Sequence, residues 1–285
     1  MPEGDTVWLA GRRLHDALVG RVLTTSDFRV PQLATADLTG RTVSEVVSRG
    51  KHLLTRIGDD LTLHTHFRMD GSWHLYRHGD RWHGGPTWQV RVLLENAEWQ
   101  AVGYRLPVVE LLPRDREDDA VGHLGPDLLG PGWDVDEAVR RVTAEPSREI
   151  GQALLDQRNL AGIGNLYKTE VCFLEGVSPW TPVADLGEPG VRSAVERAHR
   201  LLAANRETYA QVTTGDPRRG HWHWAFERTG RPCLRCRTPI ATAEQGTPPY
   251  QRLSYWCPRC QAGPAPSPRR PARRDRTAGR TRYRP

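Results

Sequence analysis

Four cysteines near the C-terminal end constrain the fold of this 285-residue chain more than any other feature. They form two Cys-x-x-Cys pairs, Cys233 with Cys236 and Cys257 with Cys260, separated by twenty residues. This spacing matches a ribbon in which two knuckles hold one tetrahedral Zn²⁺ through four thiolates. Because four thiolates leave no open coordination position, we expect one structural zinc, with any catalysis located elsewhere.

The composition excludes two classes of protein. Mean hydropathy is −0.61, and no run approaches the roughly 20 apolar residues that a membrane-spanning helix needs. The opening residues, MPEGDTVW, have neither the basic nor the apolar segment of a secretory signal. We therefore expect a cytoplasmic protein with no membrane partner, in which a reducing environment favours thiolate ligands over disulfides.

The net charge of +6 is unevenly distributed along the chain. Residues 261–285 contain eight Arg and one Asp, and residues 211–260 contain eight Arg and three acidic residues, so residues 1–210 are net acidic. This distribution predicts that an anionic partner is bound by a local basic surface near the C-terminal end and not by a broadly basic face.

Residues 1–125 predict a β-sandwich preceded by one helix. The helix is expected over Thr6–Leu18, where apolar residues recur at helical spacing. Short alternating or β-branched runs, separated by Gly, Pro and Asp, predict the strands. These runs are Thr42–Val47, His52–Ile57, Leu61–Phe67, Trp88–Leu94 and Trp99–Tyr104.

The rest of the chain predicts three further parts, which makes the whole an α+β multidomain protein. A Gly/Pro-rich linker over 126–134 leads into a helical domain over 135–221, and the four-cysteine finger occupies 222–262. Residues 263–285 are rich in Arg and Pro, which predicts a disordered basic tail. The expected helices are Asp136–Val142, Arg148–Gln157, Leu166–Glu175 and Val191–Thr208.

A glycine-rich turn joins two of these helices. Gly162 and Gly164 permit positive φ or a close backbone approach, Asn165 is placed as the N-cap of the next helix, and Gly176 as its C-cap. The free N–H groups of such a helix start can hold a phosphate, although a purely structural turn fits the spacing equally well. Cys172, inside this helix pattern, is expected to be a core residue.

Several separated motifs resemble the formamidopyrimidine-DNA glycosylase and endonuclease VIII (Fpg/Nei) family of base-excision repair enzymes. The opening Pro-Glu-Gly is similar to the endonuclease VIII branch, and its continuation is similar to the second actinobacterial paralogue of that branch. The resemblance covers residues 1 to about 260. Its motifs are Met1–Gly4, Arg49–Leu54, His66–Gly71, Gly162–Tyr167 and Phe226–Cys233.

The resemblance implies a bifunctional DNA glycosylase/AP lyase with a helix-two-turns-helix (H2TH) domain, which excises oxidised bases, pyrimidines first. Removal of Met1 would expose the secondary amine of Pro2, whose attack on C1′ displaces the base and gives a cationic Schiff base. Glu3 is placed to protonate the sugar ring oxygen, and Lys51 matches the second catalytic base. Elimination of the 3′ phosphate is followed by a second elimination, in which Arg252 is assigned a part.

The resemblance also implies the DNA contacts. A base inside a duplex must be flipped out to be reached, and Met69 would fill the gap while Arg68 bonds the estranged base. Asn165 and Arg252 match the phosphate clamp of the family. Asp70 departs from the larger residue that many relatives carry in the wedge. The resemblance therefore implies damaged duplex DNA as the partner, and we expect a monomer in a bacterial cytoplasm, associated with the nucleoid.

The sequence leaves alternatives open for the function and for several residues. The scaffold also suits a non-catalytic DNA-damage-binding or zinc-ribbon regulatory protein. His64 and His66 share one face of a strand and are either structural or metal ligands. Residues 221–224, His-Trp-His-Trp, either pack the junction with the finger or stack on bases. Asp5–Thr6 replaces the Pro-Glu of many relatives, so no role is transferred to it.

Overall fold

The computed structural model describes residues 2–249 and 251–266. The expected basic tail therefore lies outside the described residues from position 267 onward, and Met1 lies outside them as well. None of the described helices is long and apolar enough to cross a membrane.

The chain opens with helix α1, Gly4–Leu18. It buries Val7, Gly11, Leu14 and Leu18 along one face, as the helical spacing of its apolar residues predicts. The helix begins two residues before the predicted start, because Glu3 adopts an extended backbone and serves as the N-cap position. This early start places Glu3 and Gly4 directly against residues 162–166.

Eight strands form two antiparallel four-stranded sheets, which share an apolar core with α1. The first sheet has the order β2-β3-β4-β8 and the second β1-β6-β7-β5. The strands are β1 Thr25–Phe28, β2 Val43–Arg49, β3 His52–Ile57, β4 Leu61–His66, β5 Ser72–Arg77, β6 Val90–Glu95, β7 Trp99–Tyr104 and β8 Val108–Pro113. The sequence predicted β3 and β7 with the observed bounds, and it missed β1, β5 and β8, which are short or half-buried.

Within the described residues, five further α-helices follow the sandwich, and the last four of them enclose a second apolar core. Their bounds are α2 Glu117–Val121, α3 Val135–Thr143, α4 Ile150–Leu155, α5 Asn165–Leu174 and α6 Val183–Asn205. Gly187, with φ of 63°, breaks the helical geometry near the start of α6. The sequence pattern found α3 to α6 with shifted ends, while α2 is a short acidic turn of helix that carries no apolar periodicity.

The prediction that Asn165 caps α5 is wrong. Gly164 is the N-cap, and Asn165 is the first helical residue. The Glu3 carboxylate, which lies outside the helix, takes the place of a capping side chain. It accepts the N–H groups of Gly164 and Leu166. At the other end, Glu175 is the C-cap and Gly176 follows it with φ of 70°. The helix therefore ends one residue earlier than predicted, and Gly176 is the residue after the C-cap.

A two-stranded hairpin forms the C-terminal part, with β9 at Ala241–Gln245 and β10 at Arg252–Trp256. Glu170 of α5 attaches the preceding segment to the helical core. Its buried carboxylate accepts the backbone N–H groups of Trp224, Ala225 and Phe226, at 2.7 to 2.9 Å. Trp224 stacks on Phe173 of α5 with ring centroids 5.5 Å apart, so part of the His-Trp-His-Trp segment packs the junction with the finger.

Candidate active site and zinc centre

Glu3 is the most constrained residue of the candidate site. Its side chain is fully buried, and its carboxylate accepts the backbone N–H of Gly164 at 2.6 Å and that of Leu166 at 2.8 Å. A Cβ on Gly164 would stand 2.5 Å from the Glu3 carboxyl carbon, so only glycine fits here. Gly4 donates its N–H to Gly162 O at 2.8 Å, which fixes the start of α1 on the same turn.

The environment of Glu3 changes its protonation. Burial raises the pKa of Glu3 to about 7, while the nearby Lys51 charge and the backbone hydrogen bonds oppose that rise. At neutral pH the carboxyl group is therefore divided between a protonated form that can act as an acid and an ionised form. A pKa near the working pH is the property that a general acid requires.

Lys51 lies in the turn between β2 and β3, where Gly50 has φ of 59°. Asp127, from the Gly/Pro-rich segment, accepts the Gly50 N–H at 2.8 Å and holds this turn against the helical part. Burial lowers the pKa of Lys51, the Glu3 charge raises it, and the Arg252 charge lowers it further. Glu3, Lys51 and the finger residue Arg252 therefore share one electrostatic neighbourhood.

Asn165 joins the turn before α5, residues 162–164 and called the H2TH turn from here on, to the finger. Its side-chain amide donates to the Leu253 carbonyl oxygen at 2.8 Å, next to Arg252 at the start of β10. The expectation that free N–H groups at this helix start hold a phosphate needs correction, because Glu3 occupies two of them. The exposed Arg252 guanidinium remains available to a phosphate.

Arg68 and Met69 lie in the turn between β4 and β5. Met69 is 58% exposed, which is unusual for a large apolar side chain. Arg68 has φ of 46° and donates its backbone N–H to His66 Nδ1 at 2.9 Å. The turn therefore exposes the apolar side chain of Met69 to solvent. The hydrogen bond from Arg68 to His66 at the end of β4 fixes its backbone.

Asp5 is a site residue to which sequence reasoning assigned no role. It is buried, accepts the Tyr167 hydroxyl at 2.5 Å, and accepts the Gln211 amide at 2.9 Å. Burial raises the pKa of Asp5, and the hydrogen bonds from Tyr167, Thr6 and Gln211 oppose that rise. The contact joins α1 to α5 and to the segment after α6, and no local pattern indicates a contact across 162 positions.

The four cysteine sulfur atoms lie within 4.8 Å of one another. The Sγ atoms of Cys236 and Cys257 are 3.3 Å apart and those of Cys233 and Cys260 are 3.9 Å apart, near the roughly 3.8 Å that four Zn–S bonds of about 2.3 Å give in a tetrahedron. In the described part of the chain, no other group of three or more His, Cys, Asp or Glu ligand atoms is as close. Cys172 is buried in the helical core, as predicted.

Profiles of known protein families match most of the chain. Three family profiles match in chain order: the formamidopyrimidine-DNA glycosylase N-terminal domain over residues 1–105, the H2TH domain over 124–214, and the zinc finger found in FPG and IleRS over 230–263. The zinc-finger match and the clustered thiolates together identify one structural zinc site.

Two relatives match almost the full length. "Probable endonuclease 8 2" of Streptomyces coelicolor is 58% identical over 94% of this chain and 96% of its own. "DNA-(apurinic or apyrimidinic site) lyase Nei2" of Mycolicibacterium smegmatis is 44% identical over 92% of this chain and 99% of its own. The chain belongs to the Fpg/Nei family of base-excision repair DNA glycosylases with AP lyase activity.

Solved structures share the architecture. The complex of Lactococcus lactis Fpg with DNA containing an abasic site matches with a TM-score of 0.75 at 22% identity, covering 92% of this chain and 100% of that one. At this identity the match supports the fold: an α+β arrangement of β-sandwich, H2TH helices and zinc finger.

Removal of zinc should unfold the finger while the sandwich remains folded, because all four ligand cysteines lie in the finger core and the sandwich has its own core. With a chelator, we expect near-complete loss of binding to duplex DNA, measured by fluorescence anisotropy, with the far-ultraviolet β signal retained. Restored zinc should restore binding. Unchanged affinity in protein shown to be free of zinc would contradict the role of the finger.

Proposed function

We propose that Pro2 is the nucleophile and that the protein cleaves DNA at the lesion by β,δ-elimination. The observation that carries the proposal is the position of Pro2, half-buried and immediately before Glu3, where the start of the chain meets the H2TH turn. An α-amine of pKa about 8 supplies neutral nucleophile near pH 7. Its nitrogen bonds to C1′ as the C1′–base bond breaks, the amine gives up its proton, and opening of the C1′–O4′ bond gives an iminium that withdraws electrons from the C2′–H bond.

Glu3 and Lys51 share the proton transfers in this proposal. Protonated Glu3 donates to the sugar ring oxygen as the base leaves, which its raised pKa permits at neutral pH. Lys51, whose pKa is lowered by burial, gives up a proton more readily than an exposed lysine and acts as the second base. Arg252 supplies positive charge beside the phosphate that leaves in the second elimination.

We infer that damaged duplex DNA binds with the lesion nucleotide flipped out. Arg252 and Asn165 would hold the phosphates beside it, and the exposed Met69 would enter the gap with Arg68 at the estranged base. The name of the Mycolicibacterium smegmatis relative, an apurinic or apyrimidinic site lyase, supports abasic sites as substrates, and we propose oxidised pyrimidines as the preferred bases. We further propose a monomer that works at the nucleoid of a bacterial cytoplasm.

We also propose that the chain is divided into functional parts at the boundaries that the sequence predicts. The catalytic part would be 1–125, the linker 126–134, the H2TH part 135–221 and the finger 222–262, with the tail 263–285 adding sequence-independent affinity for DNA.

The assignment of Pro2 is tested by trapping the Schiff base with borohydride on duplex DNA that contains an abasic site. Protein with Met1 removed should form a covalent adduct, and mass spectrometry should locate it at residue 2. A form with a short N-terminal extension, in which the Pro2 nitrogen is an amide, should form none, because it has no free amine.

The matched control carries the same extension at the C-terminal end and should react like the processed protein. An adduct at Lys51, or an undiminished adduct in the N-terminally extended form, would contradict the assignment. No adduct with any correctly processed form would instead favour a non-catalytic DNA-damage-binding protein.

The pH dependence of base release tests the pairing of Glu3 with Lys51. Base release should need both the free amine of Pro2, with a pKa of about 8, and protonated Glu3, so the rate should pass through a maximum and then fall on the alkaline side as protonated Glu3 is lost. Lys51→Met removes a charge that lowers the pKa of Glu3, so this descending limb should move to higher pH. The measurement is single-turnover base release between pH 5.5 and 9.

Arg12→Met is the control, since Arg12 is an exposed cation of α1 paired with Asp16. Its descending limb should coincide with that of the unmodified protein. A limb that stays in place in Lys51→Met would refute the electrostatic coupling, whatever happens to the maximal rate.

A further inference from the structure

Two neighbouring turns at one end of the second sheet contain left-handed backbone. Within the described residues, four residues other than glycine have a positive φ, and two of them, Arg68 at 46° and Arg105 at 49°, belong to these turns. Ser72, at the start of β5, pairs with Tyr104, at the end of β7, so the turn before β5 adjoins the residue after β7. Left-handed backbone is costly for a residue with a side chain, and it persists where surrounding contacts hold it.

The turn before β5, residues 67–71, carries the exposed Met69 and is the wedge turn. The Gly71 N–H donates to the Phe67 carbonyl oxygen at 2.9 Å and closes it. A Cβ on Gly71 would stand 2.7 Å from that oxygen, so only glycine fits there. Phe67 is buried in the core of the sandwich, which fixes the start of the turn. Asp70 lies between the exposed Met69 and this closing contact.

Arg105 joins the wedge turn to the loop between β5 and β6. Its Nε donates to the Asp70 carbonyl oxygen at 3.0 Å. Its Nη1 donates to the Gly84 carbonyl oxygen at 3.3 Å and to Gln89 Oε1 at 2.5 Å, and its backbone N–H donates to the Gln89 carbonyl oxygen at 2.8 Å. The guanidinium is planar and its N–H groups have fixed directions, so this one side chain sets the position of Asp70 relative to the loop.

The loop end of this contact is anchored to the second sheet. Tyr76 is 2% exposed, and its hydroxyl oxygen accepts the backbone N–H of Gly84 at 2.9 Å. A Cβ on Gly84 would stand 2.6 Å from the Tyr104 ring, so the loop backbone lies directly against the sheet. Hydrogen bonds therefore connect the buried Tyr76 to Asp70 through Gly84 and Arg105.

We propose that Arg105 is a positioning residue for Met69, an inference that rests on the proposed function. It fixes the backbone of the wedge turn so that the Met69 side chain enters the gap left by the flipped nucleotide. A methionine side chain is flexible, so an ordered backbone has to supply the precision of its insertion. The contact uses the carbonyl oxygen of Asp70, so it does not depend on the side chain at that position.

A double-mutant cycle tests the proposal, with the single-turnover rate of cleavage of duplex DNA at an abasic site as the measurement. Arg105→Lys keeps the charge but loses the fork that reaches Asp70 and Gly84 together, so the rate should fall about tenfold. Met69→Ala should lower it by a similar factor. The double variant should be no slower than Met69→Ala, because without the wedge Arg105 has nothing to position.

Arg91→Lys is the matched control, because the Arg91 guanidinium donates to the carbonyl oxygens of Trp88 and Val90 in the neighbouring turn. It should cleave at the rate of the unmodified protein. An Arg105→Lys protein as fast as this control would overturn the proposal, and so would losses that multiply in the double variant. Undiminished cleavage by Met69→Ala would overturn it together with the wedge.

The fluorescence of 2-aminopurine placed opposite a reduced, uncleavable abasic site reports insertion of the wedge without cleavage. At saturating protein, Arg91→Lys should change the emission as much as the unmodified protein does. Arg105→Lys should give a smaller change, because the wedge then fills the gap in only part of the complexes. An equal change would contradict the proposal. Borohydride trapping separates this outcome from failure of the proposed function, because Arg105→Lys should still form the adduct at Pro2.

Discussion

The site depends on a single carboxylate buried at the start of the chain. Glu3 is fully buried, and such a group is tolerated because the H2TH turn offers it two backbone N–H groups and the positive end of α5. The turn can offer them because Gly164 has no side chain. The same contact fixes the first residues of the chain, so Pro2 is held where the sandwich and the helices meet.

Other contacts converge on this point from different parts of the chain. Asp127 fixes the turn that carries Lys51, and Asn165 connects the helix start to the strand that carries Arg252. Lys168, also fully buried, donates to Ser254 of the same strand at 2.5 Å. Side-chain hydrogen bonds therefore connect the finger to the helix start, and they hold the strand that carries Arg252 beside the candidate site.

The sequence predicts the parts better than it predicts the contacts between them. The spacing of the cysteines and the period of the apolar residues are local properties, so the finger, α3 to α6 and strands such as β3 and β7 can be found without a structure. The contact of Glu3 with Gly164 and that of Asp5 with Tyr167 each join residues more than 160 positions apart. No local pattern specifies such pairs. Asn165 is an example. Its residue type predicts an N-cap, but the carboxylate of Glu3, from the start of the chain, accepts the N–H groups at this helix start instead.

The most direct test of this account is the single-turnover rate of base release in Gly164→Ala, with Gly132→Ala as the control, since a Cβ at Gly132 meets nothing within 4 Å. The added methyl would displace the Glu3 carboxylate, so the account predicts a fall of about 100-fold with zinc content unchanged, while the control keeps its rate. A Gly164→Ala protein that releases the base as fast as the control, with the same dependence on pH, would contradict the central role of this contact.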